Sequence, residues 1–453
     1  MMYRKLFFIG IGGIGMSALA RYYHRQGVEI YGYDRTPSPL TQRLEREGMH
    51  IHYEDDPGLI PEGINMVVYT PAVPKTHAQL NYFYQHDYPV KKRAEVLGMI
   101  SREHKAIAVA GTHGKTTTSS LLTHVLRECG VDATAFLGGI ANNFETNYVH
   151  GEGDWVVAEA DEYDRSFLHL QPDISILTSI DPDHLDIYGD ESQMHETFLQ
   201  FIGNLVPDGL LVMRHGLDIT LPEAFTERMT VHTFGIAEGA DYRIHHERVE
   251  GGYATFDLTT PHHGTWEGVQ LAMPGQHNAF NAVAALAVAL QLECTEQDIR
   301  NALLSFKGIG RRFEYVYRSD ERVYIDDYAH HPTELRAAIH AARAMHHGKR
   351  VTGVFQPHLF SRTRDFAEGF SEALSELDEV ILIPIYPARE EPIPGVTSQL
   401  LLDGISHDRK RLLPKAEVVD TLREERDTIE ILMTLGAGDI DRLVPELKGV
   451  MES

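Results

Sequence analysis

The sequence predicts an α/β protein of three domains built on mainly parallel sheets, and three observations carry that prediction. Its 453 residues amount to about three domains at roughly 150 residues each. An apolar run that enters a glycine-rich or polar loop and then helical periodicity opens three times, at residues 6 to 26, 105 to 128 and 323 to 345. Further strand-like runs alternate with helical segments along the chain, as they do where helices cross between parallel strands.

The first domain, residues 1–105, opens with a strand over residues 5 to 11, a tight glycine turn, a helix from Met16 and a second strand over residues 28 to 34. Arg4, Lys5, the apolar run from Leu6 and Ser17-Ala18-Leu19-Ala20 imitate a secretory signal. The glycines at 10, 12, 13 and 15 fit a strand-to-helix turn better. A strand at Met66–Tyr69 and a helical segment over residues 94 to 103 complete this domain. The middle domain, 106–318, takes strands at residues 155 to 159 and 174 to 179, then a meander-like β-rich stretch over 231 to 273, then helices over 278 to 290 and 296 to 305. Lys307-Gly308-Ile309-Gly310-Arg311-Arg312 reads as a hinge. The third domain, 319–453, has strands near Tyr324 and over 351 to 355, 380 to 384 and 429 to 435, with helices between them.

Hydrophobic residues at 43% and charged residues at 24% exclude a disordered chain. Sixty-six acidic against 41 basic residues give a net charge of −25, which repels nucleic acid and anionic membranes. No run reaches the roughly 18 apolar residues of a membrane span. The two cysteines, Cys129 and Cys294, offer neither metal-ligand spacing nor a disulfide framework. The expectation is a cytoplasmic protein, monomeric or weakly dimeric, with no nucleic-acid or membrane partner.

Three motifs carry chemistry. Gly10-Ile11-Gly12-Gly13-Ile14-Gly15, with Asp34 at the end of the next strand, has the form of the dinucleotide fingerprint of a Rossmann-like domain. Its glycines let a diphosphate approach the backbone, and the following N–H groups lie beneath it. Residues 108–118, with Gly111-Thr112-His113-Gly114-Lys115-Thr116-Thr117 at their centre, form a phosphate loop of the ATPase type. Lys115 supplies charge to a transferring phosphoryl group and the Thr116 hydroxyl can ligate Mg²⁺. The spacing departs from the full P-loop pattern, since Val109 stands where its first glycine belongs. Glu159-Ala160-Asp161-Glu162 and Asp181-Pro182-Asp183-His184-Leu185-Asp186 end two successive strands and deliver carboxylates and an imidazole to the same sheet edge. The His-His pairs at 245, 262 and 346 read as exposed. His330-His331 follows a strand at its carboxyl end, where α/β sites form. Two nucleotide-type loops with a third domain behind a hinge suit ATP-driven joining better than a dehydrogenase or a phosphatase.

In these motifs the sequence resembles the Mur ligase family of three-domain, ATP-dependent amide ligases of peptidoglycan synthesis. The resemblance runs through Gly275-Gln276-His277-Asn278 with Asn281, Gly310-Arg311-Arg312-Phe313, residues 326 to 334, Phe355-Gln356-Pro357-His358, Ser361-Arg362-Thr363-Arg364 and Gly436-Ala437-Gly438-Asp439. It implies that Gly12, Gly13, Ile14, Gly15, Ser17 and Asp34 hold the uridine diphosphate of a sugar substrate and that no NAD binds there. It further implies ATP on Gly111, Thr112, His113, Gly114, Lys115, Thr116, Thr117, His277, Asn278, Asn281, Arg312 and Asp327. Mg²⁺, or Mn²⁺ in its place, would be held by Thr116, Glu159 and His184. Tyr328, His330 and Arg362 would form an amino-acid pocket, with Lys115, Glu159, His184 and His330 catalytic.

Within the family, the likeness is greatest to members that join L-alanine to the carboxylate of UDP-N-acetylmuramic acid through an acyl phosphate. The alternative is a recycling ligase that attaches a tripeptide to the same sugar nucleotide, and a nucleotide-sensing protein without turnover is a rival of another class. Two departures stand out. Leu359 occupies a position where many alanine ligases carry Arg, which shifts the alanine carboxylate onto Arg362. No lysine lies between Lys115 and Lys307, so the carbamylated lysine of several sister ligases cannot come from the middle domain.

Overall fold

The structure, a computed structural model of the chain, describes residues 3–182, 188–250, 253–388 and 390–453. Its strands form three sheets. The first holds β1 (Lys5–Ile9), β2 (Glu29–Tyr33), β3 (His50–His52), β4 (Met66–Tyr69) and β5 (Val90–Lys92) in the order β3-β2-β1-β4-β5. All its neighbours are parallel. The order reverses beside β1, and ligands of open α/β sheets settle at such a reversal, outside the strands' carboxyl ends. The helix Ile14–Arg25 springs directly from that point.

The second sheet holds β6 (Lys105–Ala110), β7 (Thr134–Ala141), β8 (Thr146–Val149), β9 (Trp155–Ala160), β10 (Ile174–Leu177), β11 (Gly209–Arg214), β12 (Met229–Gly235), β13 (Tyr242–Glu250), β14 (Tyr253–Thr260) and β15 (Gly264–Leu271). Their order is β15-β14-β13-β12-β11-β10-β6-β9-β7-β8. Of the stretch expected to form a meander, β13, β14 and β15 are successive neighbours at one flank of the sheet, whereas β12 pairs parallel with β11 and β13 and belongs to the parallel part. β6 lies between β10 and β9, both parallel to it, so three carboxyl-terminal strand ends meet at the phosphate loop. The helix Gln276–Gln291 is buried without interruption from Asn278 to Leu290, as expected of a helix apolar on every side.

By compactness the chain divides into two units, with the main break between Lys307 and Gly308, inside the expected hinge. The first two sheets belong to one unit, and a buried polar seam explains why. Asn147 on β8 is fully buried and donates through Nδ2 to Ile14 O at 2.5 Å and Ser17 Oγ at 2.9 Å. Its Oδ1 accepts from Arg21 Nη1 at 2.6 Å, and Arg21 in turn pairs with Glu47 at 2.7 Å. With every partner satisfied, the network holds the first helix against the second sheet; a half-satisfied one would cost stability.

The other unit contains the third sheet: β16 (Glu314–Arg318), β17 (Val323–Asp327), β18 (Val351–Phe355), β19 (Glu379–Leu382), β20 (Lys410–Leu412) and β21 (Ile431–Leu435), ordered β16-β17-β21-β18-β19-β20. Only β16 is antiparallel. The last strand inserts between the second and third, an order unlike that of the first sheet. Among the described residues, no helix is long and apolar enough to cross a membrane. The expectation of exposed His-His pairs fails in part: His346 is half-buried, its ring 3.3 Å from the Tyr315 hydroxyl, because the end of the helix Pro332–Met345 packs on β16 there.

Candidate active site

The first glycine loop is a closed backbone cradle. Gly10 takes φ +82 and its N–H donates to Tyr33 O at 2.8 Å, folding the chain back onto β2. Asp34 Oδ2 accepts the Gly12 N–H at 2.7 Å, so this carboxylate supports the loop itself. A methyl on Gly12 would lie 2.6 Å from Thr41 Cγ2 and 2.8 Å from Asp34 Oδ2, which requires glycine. Gly13 caps the helix without a side chain, and the first turn, with Ile14 and Gly15, carries no acidic residue. The N–H groups of that turn are therefore free to meet an anion. Ser17 is buried, its hydroxyl donating to Ile14 O at 2.9 Å.

The second loop is built around a mobile charge. Gly111 takes φ +132, where a Cβ would collide with Thr178 Oγ1 at 2.1 Å. Gly114, at φ +81, caps the helix Lys115–Glu128 and presses on Asn281. Ser179, beyond β10, pins the loop by accepting the His113 N–H at 2.9 Å and meeting Thr112 Oγ1 at 2.9 Å. Lys115 Nζ donates to Gly111 O at 2.6 Å and to Glu162 Oε2 and Oε1 at 2.7 and 2.9 Å. Burial alone would favour neutral lysine; Glu162, Asp161 and Glu159 outweigh it and raise its pKa, so it stays cationic. Glu162 is 1% exposed. Burial pushes it up to about 7 against the pull of Lys115.

Thr116 Oγ1 donates to Glu159 Oε2 and Oε1 at 2.9 and 3.1 Å. Room for that carboxylate comes from Gly138 on β7, where a Cβ would lie 2.1 Å from Glu159 Oε2. The hydroxyl and carboxylate are hard oxygen donors at a phosphate loop, a set that fits Mg²⁺. The proposed third ligand, His184, lies outside the described residues. Thr117 is buried on the helix behind, and Asn278 and Asn281 are buried beside Gly114, with Asn281 Nδ2 donating to Asn278 Oδ1 at 3.4 Å. His277 is exposed and lies against Gly275.

In the other unit the residues singled out beyond β17 gather. Asp327 accepts the Phe313 and Ala329 N–H groups, each at 2.7 Å, and burial pushes its carboxyl up to about 6. The Arg312 guanidinium stands 5.1 Å from the centre of the Tyr328 ring and 3.9 Å from Glu334. His330 Nδ1 lies 3.0 Å from Tyr328 O and 3.2 Å from Glu334 Oε2. A carbonyl only accepts, so Nδ1 carries the proton and Nε2 keeps a lone pair. Burial lowers the His330 pKa, Glu334 opposes, and Arg362 and Arg312 add to the lowering; the ring is neutral at neutral pH. Leu359 takes φ +69 at the start of the helix Phe360–Asp365, which carries Arg362.

Sequence reasoning missed Glu162 as the partner of Lys115, Gly138, Glu334 and Arg311. Arg311 clips the end of β17 to the loop after β21, with Asp326 at 3.3 Å and Gly436 O at 2.6 Å. The one available signal was the repeated acid in Glu159-Ala160-Asp161-Glu162, which offers more carboxylates than a metal needs.

Comparison with known proteins agrees with this geometry. Residues 5–105 match the model of the Mur ligase family catalytic domain, 109–289 the Mur ligase middle domain, and 311–440 the Mur ligase glutamate ligase domain. UDP-N-acetylmuramate–L-alanine ligases of Cytophaga hutchinsonii and Porphyromonas gingivalis are each 46% identical, covering 99% of this chain and 97% and 99% of their own lengths. The crystal structure of the UDP-N-acetylmuramate-alanine ligase MurC from Thermotoga maritima superposes with a TM-score of 0.84 at 26% identity, over 99% of both chains. A murein peptide ligase from Psychrobacter arcticus, at 20% identity and a TM-score of 0.72 over 99% of this chain and 98% of its own, shares the fold. With family models matched along most of the chain and relatives 46% identical over 99% of it, the chain belongs to the Mur ligase family.

Proposed function

We propose that this ligase joins L-alanine to the carboxylate of UDP-N-acetylmuramic acid at the expense of ATP, in the cytoplasm, as a step of peptidoglycan precursor synthesis. Near-complete overlap with relatives named for that reaction, at 46% identity, supports the choice of substrates. The cluster of Lys115, Thr116, Glu159 and Glu162 is the observation that carries the chemistry. Three domains, 1–105, 106–318 and 319–453, divide the labour between sugar nucleotide, ATP and amino acid.

The muramic acid carboxylate attacks the γ-phosphorus, forming an acyl phosphate and releasing ADP. The alanine amine then attacks the acyl carbon, phosphate leaves, and the amine gives up a proton. Lys115 exchanges Glu162 for the γ-phosphate; the ion pair keeps the lysine charged and aimed until ATP arrives. Thr116 and Glu159, together with His184, would hold Mg²⁺, which would neutralise phosphate charge. His330, neutral with its Nε2 lone pair free, accepts the amine proton, while Tyr328 and Arg362 hold the alanine. The protein's contribution is mainly position and charge.

The test is phosphate release. It should require both UDP-N-acetylmuramic acid and L-alanine, and kcat/KM for free L-alanine should exceed that for a tripeptide beginning with L-alanine. Preference for the tripeptide would make this a recycling ligase, and no turnover with either would overturn the proposal.

A further inference from the structure

Adjacent basic residues, Lys92 and Arg93, reach from the end of β5 to the acidic segment beyond β9. Lys92 Nζ pairs tightly with Asp164 Oδ2 at 2.7 Å. Arg93 Nη2 stands 3.6 Å from Asp161 Oδ2, a looser contact. The Arg93 side chain also lies on the first glycine loop, because a Cβ built on Gly15 would come within 2.9 Å of its Cδ and Nη1. The guanidinium is 20% exposed and Asp161 38%. One cation therefore lies against both a carboxylate of the ATP side and the first turn of the helix Ile14–Arg25, which the proposed function assigns to a diphosphate.

We propose that Arg93 is shared: in the free enzyme it pairs with Asp161, and when the sugar nucleotide binds it turns onto the diphosphate and releases Asp161. The inference rests on the proposed function's assignment of the first loop. A guanidinium fork matches two phosphate oxygens and gains more from a doubly charged diphosphate than from one half-exposed carboxylate. Asp161 lies two residues beyond Glu159 and directly before Glu162, the carboxylate that pairs with Lys115 at 2.7 Å. Releasing it raises the negative charge where Lys115 and the metal ligands sit. Occupancy of the first loop is thereby felt at the second, and the coupling between the two ligands is reciprocal.

The experiment titrates uridine diphosphate alone into the full chain by calorimetry, with thermal melts to verify folding, for wild type, Arg93→Ala, Arg93→Lys, Asp161→Asn and the Arg93→Ala/Asp161→Asn double variant. Arg93→Ala should weaken binding at least tenfold, with Arg93→Lys intermediate because it keeps the charge and loses the fork. Asp161→Asn should tighten binding several-fold by removing the competitor, and should have no effect once Arg93 is gone. A purely structural bridge gives the opposite sign, both single variants binding more weakly. Weaker or unchanged binding by Asp161→Asn overturns the sharing, and wild-type affinity in Arg93→Ala overturns the contact with diphosphate. Wild-type protein that does not bind uridine diphosphate overturns the reading of the first loop itself.

Discussion

The two glycine loops leave parallel strands in the same way and end at helix N-termini, yet they are furnished for different work. Around Gly12 the acid in contact among the described residues is Asp34, whose Oδ2 accepts the loop's own backbone N–H at 2.7 Å. Around Gly114 a lysine sits among carboxylates, 2.7 Å from Glu162, and a hydroxyl waits 2.9 Å from Glu159. In the proposed function, a loop of fixed dipoles would hold a diphosphate that does not react, and a loop with an ion pair and hard oxygen donors would follow charge as it moves. On that proposal the glycines would specify phosphate, and the side chains around them whether phosphate is held or transferred.

The largest effect that could break this comparison is Lys115→Ala. Turnover should fall at least about a thousandfold, in the range of lost charge stabilisation of a transferring phosphoryl group, while uridine diphosphate still binds. Parallel loss of both would mean that the loops are not independent sites. Glu159→Ala comes next: kcat should drop about a hundredfold and the Mg²⁺ concentration for half-maximal rate should rise. An unchanged Mg²⁺ dependence would remove Glu159 from the metal.

A smaller effect concerns His330 in the other unit. Burial keeps this ring neutral, with a pKa below its ordinary 6.5. As pH falls below 6.5 the unfolded chain binds a proton there before the native state does, so this group's share of stability is lost on acidification. Activity should fall over the same acidic range as Nε2 takes its proton. His330→Gln should lower kcat by no more than about 10²-fold, the low end of the usual worth of a general base, and flatten that acidic limb. A limb that persists unchanged in the variant would assign the proton to another group.

Much of the scaffold was legible because it is written in local periodicity. Met66–Tyr69, Val351–Phe355 and Glu296–Ser305 occur as expected, and a break between the two compact units falls where glycine and arginine interrupt the pattern. Strand ends were overrun, as at Ile9, where Gly10 turns the chain two residues earlier than expected. What stayed hidden depends on long-range contact. Asn147 meets Arg21 across 126 residues, a pairing that no local pattern announces. Composition could not foretell that Asp34 accepts the Gly12 N–H at 2.7 Å and so supports the loop from within.

The smallest predicted effect is none at all. Sister ligases that use a carbamylated lysine between two metals need a neutral amine, dissolved CO₂ and a position beside the phosphate loop. From residue 116 to residue 306 this chain has no lysine. Lys115 is held cationic by three carboxylates, and Lys92, which the fold brings to the same acidic segment, is ion-paired with Asp164 at 2.7 Å. Lys115 thus offers no free base for carbamylation to consume, and the Lys92 amine is engaged by its carboxylate. Oxygen ligands come instead from Thr116 and Glu159, with Gly138 leaving room for the carboxylate. Activity in degassed buffer should therefore equal activity with added bicarbonate, at high and low enzyme concentration alike. Loss on degassing with recovery on bicarbonate would mean that one of these lysines gives up its proton, and the second loop would then have to be redrawn with a carbamate at its centre.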